Sequence, residues 1–235
     1  MVRYGTGKEG NAVRTALIYL ERVQEMLRVL GDTQGPMIQQ AGTLVAEALL
    51  AGHHIYLSPT SHAIHTEVTH RAGGFMDPRV LSAEASELLA GDVVIIGTNA
   101  GVDPITVELA LRCRERGVPT VAVTTVAYEV AAPSTHPSGR KLHEVADVTV
   151  DQGGAVGDAI MEYSNVDVPL LPASGVLAVA AVWMIFAEAA ERMAAAGRPP
   201  LVYQSMQLPG ALARNARYQA QAEATGVGYD APSPP

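Results

Sequence analysis

The chain has 235 residues, 48% of them hydrophobic, and a formal net charge of −8. That is enough apolar matter for one large domain, and the acidic balance offers no basic patch to attract a phosphate backbone or an anionic lipid surface. Nucleic acid and membrane are therefore not expected partners. The single cysteine, Cys113, excludes an intramolecular disulfide and suits a reducing cytosol. Met1 to Gly10 contains no apolar stretch of the signal-peptide kind, so a cytoplasmic location is expected.

Asn11 to Leu30 carries Val13, Leu17, Leu20, Val23, Leu27 and Leu30 at three- and four-residue spacing, which predicts an amphipathic helix stopped by Gly31-Asp32. A second helix is predicted from Ile38, Ala41, Val45 and Leu49, ending at Gly52. Four short β-rich runs follow: Ile55-Tyr56-Leu57, Val93 to Ile96, Thr120 to Val123 and Val148 to Val150. Helical patterns separate the first three, leaving room for crossover helices between parallel strands. Continuous apolar runs predict strands covered on both faces, and so a doubly wound α/β sheet. Gly175 to Ala190 is apolar on nearly every side, yet shorter than a span requires, and reads as a helix buried by its own domain or by another subunit. One domain over residues 1–225 is expected, with a flexible tail at 226–235.

In such a sheet the ligand crevice lies beyond the carboxyl ends of the strands. Three polar strand ends are candidates: Ser58, Thr60 and Ser61 with the following His62; Thr98, Asn99, Gly101 and Asp103; and Thr124 with Thr125. Asp103-Pro104 is a helix-start signal, so capping competes with ligand binding there. Ser174 at the start of the long apolar helix is open to the same two readings. There is no G-x-G-x-x-G and no P-loop lysine motif, and no cofactor is expected. His62 and His65 stand at i,i+3 without a clear third ligand, so no metal is expected either, and His62 reads instead as a packing or sugar-bonding group.

The order of these blocks resembles the sugar isomerase (SIS) domain family, and most closely its single-domain, poorly characterised bacterial branch. The resemblance rests on the two leading helices, His70 to Gly74, DVVIIGTNAG at 92–101, THPSGRKLHEVADVTVD at 135–151 and GDA at 157–159, with Ser205 and Asn215 further on. It implies a five-stranded parallel sheet, a homo-oligomer (dimer or tetramer), and a sugar or sugar phosphate as ligand. It also implies cofactor-independent aldose–ketose isomerisation through an enediol, or a non-catalytic sensor or regulatory subunit in its place. No helix-turn-helix segment is attached, which favours the enzyme over a transcriptional sensor. The phosphate loop of the family reads Ser-x-Ser-Gly, and here it is Thr98-Asn99-Ala100-Gly101. Asp103 would repel a phosphate by on the order of 1 kcal/mol or more. The expected ligand is accordingly a sugar without phosphate, or one whose phosphate lies on the Ser58–Ser61 side.

For the chemistry, the resemblance marks Glu67 as the base, against a surface Glu67–Arg71 pair worth about 0.3–0.5 kcal/mol. His136, in the flexible loop Pro133 to Gly139, matches the branch's own histidine and is the candidate acid partner. His143 is expected on the outside of a short helix.

Overall fold

The computed structural model describes residues 14–61 and 63–225. Its central sheet has five strands: β1 (Ile55–Leu57), β2 (Arg79–Val80), β3 (Val93–Gly97), β4 (Thr120–Thr124) and β5 (Val148–Asp151). They run in the order β2-β1-β3-β4-β5, all parallel. From β1 the chain moves outward to β2 and then returns to the other side of β1 as β3. That reversal makes β1/β3 the topological switch point, where loops diverge and leave a crevice.

Helices cover both faces: α1 (Arg14–Leu50) and α6 (Ser174–Ala195) on one, α3 (Pro104–Glu115) and α5 (Leu142–Val145) on the other, with α2 (Ala63–Val68) and α4 (Val126–Ala131) following β1 and β4, and α7 (Ala211–Thr225) last. The strand residues divide between the faces by strict alternation. Ile55, Leu57, Val93, Ile95, Val121 and Val123 join the α1–α6 core, while Tyr56, Val94, Ile96 and Ala122 join the α3–α5 core. Two-sided burial explains why these strands read as unbroken apolar runs. A small antiparallel hairpin, β6 (Ala159–Met161) with β7 (Leu170–Pro172), was not anticipated. Nor was the two-residue edge strand β2 visible in the residues themselves.

The two leading helices are one. α1 continues through Gly31-Asp32 and through Pro36, so the expected stop at Gly31 is corrected. A glycine stop works through a left-handed C′ residue, and Gly31 is not in that region. Gly and Pro inside a helix cost about 1 and 3 kcal/mol. What offsets them is phase: Val23, Leu30, Ile38, Ala41, Val45 and Leu49 are all buried on one continuous 3.6-residue stripe. Leu17 and Leu20, predicted on that stripe, are about half exposed. Val13 lies outside the described residues, as does the predicted tail at 226–235.

The stripe packs on α6, which buries Leu177, Ala181, Val182, Ile185, Phe186 and Ala189. By length and apolar composition α6 is the one helix among the described residues able to cross a membrane, but it lies between α1 and α2. The approach is close at Gly42, where an added Cβ would sit 2.5 Å from Glu188 Cβ and 3.0 Å from the Ile185 carbonyl. Only glycine lets the two backbones meet there.

Candidate functional site

The polar strand ends converge on the carboxyl side of the sheet but divide into two sites. The larger is a cavity of about 610 Å³ beside the switch point. Its floor is the turn after β1. The Ser58 and Thr60 hydroxyls lie 2.6 Å apart, and the Thr60 amide donates to Ser58 Oγ at 3.2 Å. Leu81 and Ser82, just past β2, form a second wall. The third is one face of α3: Ile105, Glu108, Leu109 and Arg112, at i, i+3, i+4 and i+7. His136 and Pro137 complete the lining.

His136 lines that cavity and is held firmly in place. The loop carrying it, expected to be flexible, is pinned: Thr135 N donates to the Val102 carbonyl at 2.9 Å, Ser134 Oγ to the Arg140 carbonyl at 2.7 Å, and Leu142 N to the Gly101 carbonyl at 2.8 Å. The imidazole is only 8% exposed. Its Nδ1 accepts from the Ser138 amide at 3.1 Å and lies 2.7 Å from Ser138 Oγ. A backbone amide can only donate, so in the neutral ring the proton sits on Nε2. Nε2 lies 3.2 Å from Glu108 Oε2 and donates to it. The result is an acid and a base, side by side, at a cavity wall.

The second site is a recess of about 20 Å³, room for a single water, lined by Ser61, Gly97, Thr98, Asn99, Gln152 and Ser174. Ser61 Oγ accepts from the Gly97 amide at 3.0 Å, locking the turn after β1 to the end of β3. The Thr125 hydroxyl donates to Asn99 Oδ1 at 2.8 Å and accepts from Gln152 Nε2 at 3.0 Å. Gln152 Oε1 is buried without a protein partner. The hydroxyl of Ser174 donates to Asp158 Oδ2 at 2.8 Å, and Asp158 Oδ1 accepts from the amides of Ala173 and Ser174. Asp158, from the GDA segment, thus caps α6, and the Ser174 hydroxyl is committed to that cap.

Several residues expected at the ligand have their side chains engaged within the chain. Asp103 is the N-cap of α3, its carboxylate accepting from Thr106 N at 3.0 Å and Thr106 Oγ1 at 2.7 Å. Thr124 and Thr125 are fully buried. Thr124 donates its hydroxyl to Glu129. Gly101, with φ of 55°, lies against the Glu129 carboxylate, where a Cβ would come within 2.1 Å. Glu67 pairs with Arg71 at 2.8 Å, its side chain 44% exposed. It lines neither the cavity nor the recess, so in this protomer it is not brought together with His136. His62 lies outside the described residues. His65 Nδ1 is buried with no hydrogen-bond partner. Among the described residues no cluster of three or more His, Cys, Asp or Glu side chains is arranged to hold a metal.

Sequence reasoning missed Glu108, Arg112, Ser82, Gln152 and the Glu129–His143 pair. The α3 stripe was detectable: Ile105 and Leu109 share a helix face with Glu108 and Arg112, one turn past a clear N-cap. Glu129 and His143 are 14 residues apart across a loop, and no spacing rule joins them.

A parallel five-stranded sheet of this order, with its cavity at the β1/β3 switch point, defines the class: an α/β protein of SIS-like fold. Solved structures agree. A phosphoheptose isomerase from Francisella tularensis superposes with a TM-score of 0.52 at 12% identity, covering 77% of this chain and 98% of that one. The phosphoheptose isomerase GmhA from Neisseria gonorrhoeae gives 0.51 at 14% identity, covering 76% and 98%. No protein-family model matches the chain. It is 30% identical over 228 residues to the UPF0309 protein GK1441 of Geobacillus kaustophilus, covering 85% of this chain and 91% of that protein. A similar protein of Halalkalibacterium halodurans, BH0227, is 30% identical over 221 residues, covering 82% and 88%. The chain belongs to the UPF0309 family.

Proposed function

We propose that this protein is a cofactor-independent aldose–ketose isomerase acting on a sugar phosphate held in the cavity at the switch point. The observation that carries the reading is the placement of His136 Nε2 against Glu108 at 3.2 Å on the wall of that cavity, beside the Ser58 and Thr60 hydroxyls. Isomerisation through an enediol needs a base that takes the proton from C2 and returns it to C1, and a group that moves a proton between O1 and O2. Glu108 is the base in this scheme and the Nε2–H of His136 the shuttle. They replace Glu67, whose carboxylate is engaged by Arg71 outside the cavity. No atom is gained or lost overall. Arg112, one turn beyond Glu108 on the same face, supplies positive charge for the phosphate. This places the phosphate away from Asp103, whose carboxylate is spent on the α3 cap.

Two expectations accompany this reading. The enzyme works in a reducing cytosol, and it works as a homo-oligomer. The exposed apolar side chains of Leu17 and Leu20 on one face of α1 support the second.

Proton NMR in deuterated buffer, with a panel of aldose and ketose phosphates, tests the proposal. The expected result is incorporation of deuterium at C2, lost in Glu108→Gln. Tight binding without exchange would overturn the catalytic reading and leave a sugar-phosphate sensor.

A further inference from the structure

The segment between β2 and β3 is irregular but closely tied. Ser82 and Ala83, at its start, line the cavity. Both oxygens of the Glu87 carboxylate are taken by Ser82, whose backbone amide and hydroxyl each donate at 2.6 Å. Ala85 holds a left-handed φ of 50° and is buried in the α3–α5 core with Leu81 and Leu88. A residue other than glycine stays in that region only where its surroundings fix it. The rest of the hold comes from two arginines one turn apart on α3. Arg116, at the carboxyl end of the helix, forks its guanidinium between the Ala85 carbonyl, at 2.6 Å, and the Leu88 carbonyl. Arg112 Nη2 donates to the Glu84 carbonyl at 2.7 Å.

Arg112 also lines the cavity, so one side chain joins the segment to the ligand space. A guanidinium carries several N–H donors in a rigid fork, and the bond to Glu84 leaves others for an anion. A side chain already fixed in this way loses little freedom when it grips a phosphate. Ordering a loose one on binding weakens affinity by about two- to tenfold. Arg116 and Glu87 line no part of the cavity and act on it only through the segment. Resting on the isomerase reading above, we propose that Arg116 and Glu87 are positioning residues: they hold residues 82–88 against α3, so that the Glu84 carbonyl keeps Arg112 directed at the phosphate of the substrate.

Calorimetric titration of the intact protein with inorganic phosphate and with glucose 6-phosphate tests this. In Arg116→Gln both affinities are expected to fall by about fivefold, the effect of one long side chain left unordered. Arg114→Gln removes the same charge from an exposed position nearby and is expected to stay within about twofold of the parent, because exposed charge is screened. Glu87→Gln replaces one of the two acceptors for Ser82 by a donor, loosens the segment from its other side, and is expected to weaken both ligands as Arg116→Gln does. Hydrogen exchange read by mass spectrometry is expected to quicken over residues 82–88 in both of these variants and to stay unchanged in the middle of α1. The saturating rate of C2 proton exchange on glucose 6-phosphate is expected to remain within about twofold of the parent, since Glu108 and His136 are untouched. Parental affinity in Arg116→Gln and Glu87→Gln, with residues 82–88 exchanging faster, would overturn the inference and leave the isomerase reading in place. So would an equal loss of affinity in Arg114→Gln. A parent protein that binds neither ligand would overturn the phosphate role of Arg112 and the inference with it.

Discussion

Glu129 Oε2 lies 2.6 Å from His143 Nδ1 and 3.0 Å from the His143 amide, so one carboxylate oxygen receives both the ring and the backbone of the same residue. The other oxygen takes the Thr124 hydroxyl, and Lys141 Nζ caps the Glu129 main-chain carbonyl. The carboxylate is fully buried. It ties the end of β4 to α5, which follows the loop that carries His136, and Gly101 lies directly against it.

That arrangement makes Glu129→Ala costly. Three donors lose their acceptor in a dry site, and the expected loss is about 3 kcal/mol of unfolding free energy. Gly101→Ala is expected to lose about 2 kcal/mol or more, because the added methyl collides with the carboxylate and the residue holds a left-handed φ. Urea denaturation of the two variants checks both values. Stability within 0.5 kcal/mol of the parent, about the spread of ordinary surface substitutions, would show that the clasp carries no structural weight.

Two glycines of α1 should respond in opposite directions. At Gly31 an added Cβ meets nothing within 4 Å, so Gly31→Ala is expected to stabilise by about 0.5–1 kcal/mol through helix propensity alone. At Gly42 the same change drives a methyl into Glu188 and the Ile185 carbonyl, and overpacking of about 1–3 kcal/mol is expected. Thermal unfolding should therefore raise Tm in the first variant and lower it in the second.

The proton-transfer pair separates from the surface pair by kinetics. Glu108→Gln and His136→Asn are each expected to lower kcat on a sugar phosphate by about 10²–10⁴-fold. Glu67→Gln is expected to stay within a few-fold of the parent, since it breaks only the exposed contact with Arg71. A collapse of activity in Glu67→Gln with Glu108→Gln unaffected would reverse the assignment.

Cys113 reports on global opening. It is 1% exposed in the α3–α5 core, and burial pushes its thiol up to about 11. Alkylation by iodoacetamide at pH 8 is expected to be slow in the native protein and to accelerate across the urea transition. Rapid labelling without denaturant would instead show local opening of α3, and with it of the cavity wall.

Much of the fold was legible because burial left a mark on composition. Val93 to Ile96 and Thr120 to Val123 announce two-sided strands, and Asp103-Pro104 announces the start of α3 to the residue. β2 left no mark, since Arg79–Val80 pairs on one side only and has no apolar run. The junction in α1 misled for another reason. Gly31 and Pro36 are local signals, and the continuous phase of the buried stripe is a tertiary one that outweighs them. The site was legible in part. Ser58, Thr60 and His136 meet at one cavity, and Ser61, Thr98, Asn99 and Ser174 at one recess. Which polar strand-end residue faces a ligand and which is consumed by its neighbours depends on partners such as Asp158, Gln152 and Glu129, all remote in sequence.

The meeting of backbones at Gly42 has a mechanical consequence. Two long rods in such close register cannot slide or roll without collision, so α1 and α6 act as a rigid keel beneath the sheet. The opposite face has no such meeting of backbones: there the His136 loop and the start of α3 are held by hydrogen bonds and not by interlocked helices. Amide exchange should accordingly be slowest along the middle of α1, where the two helices meet.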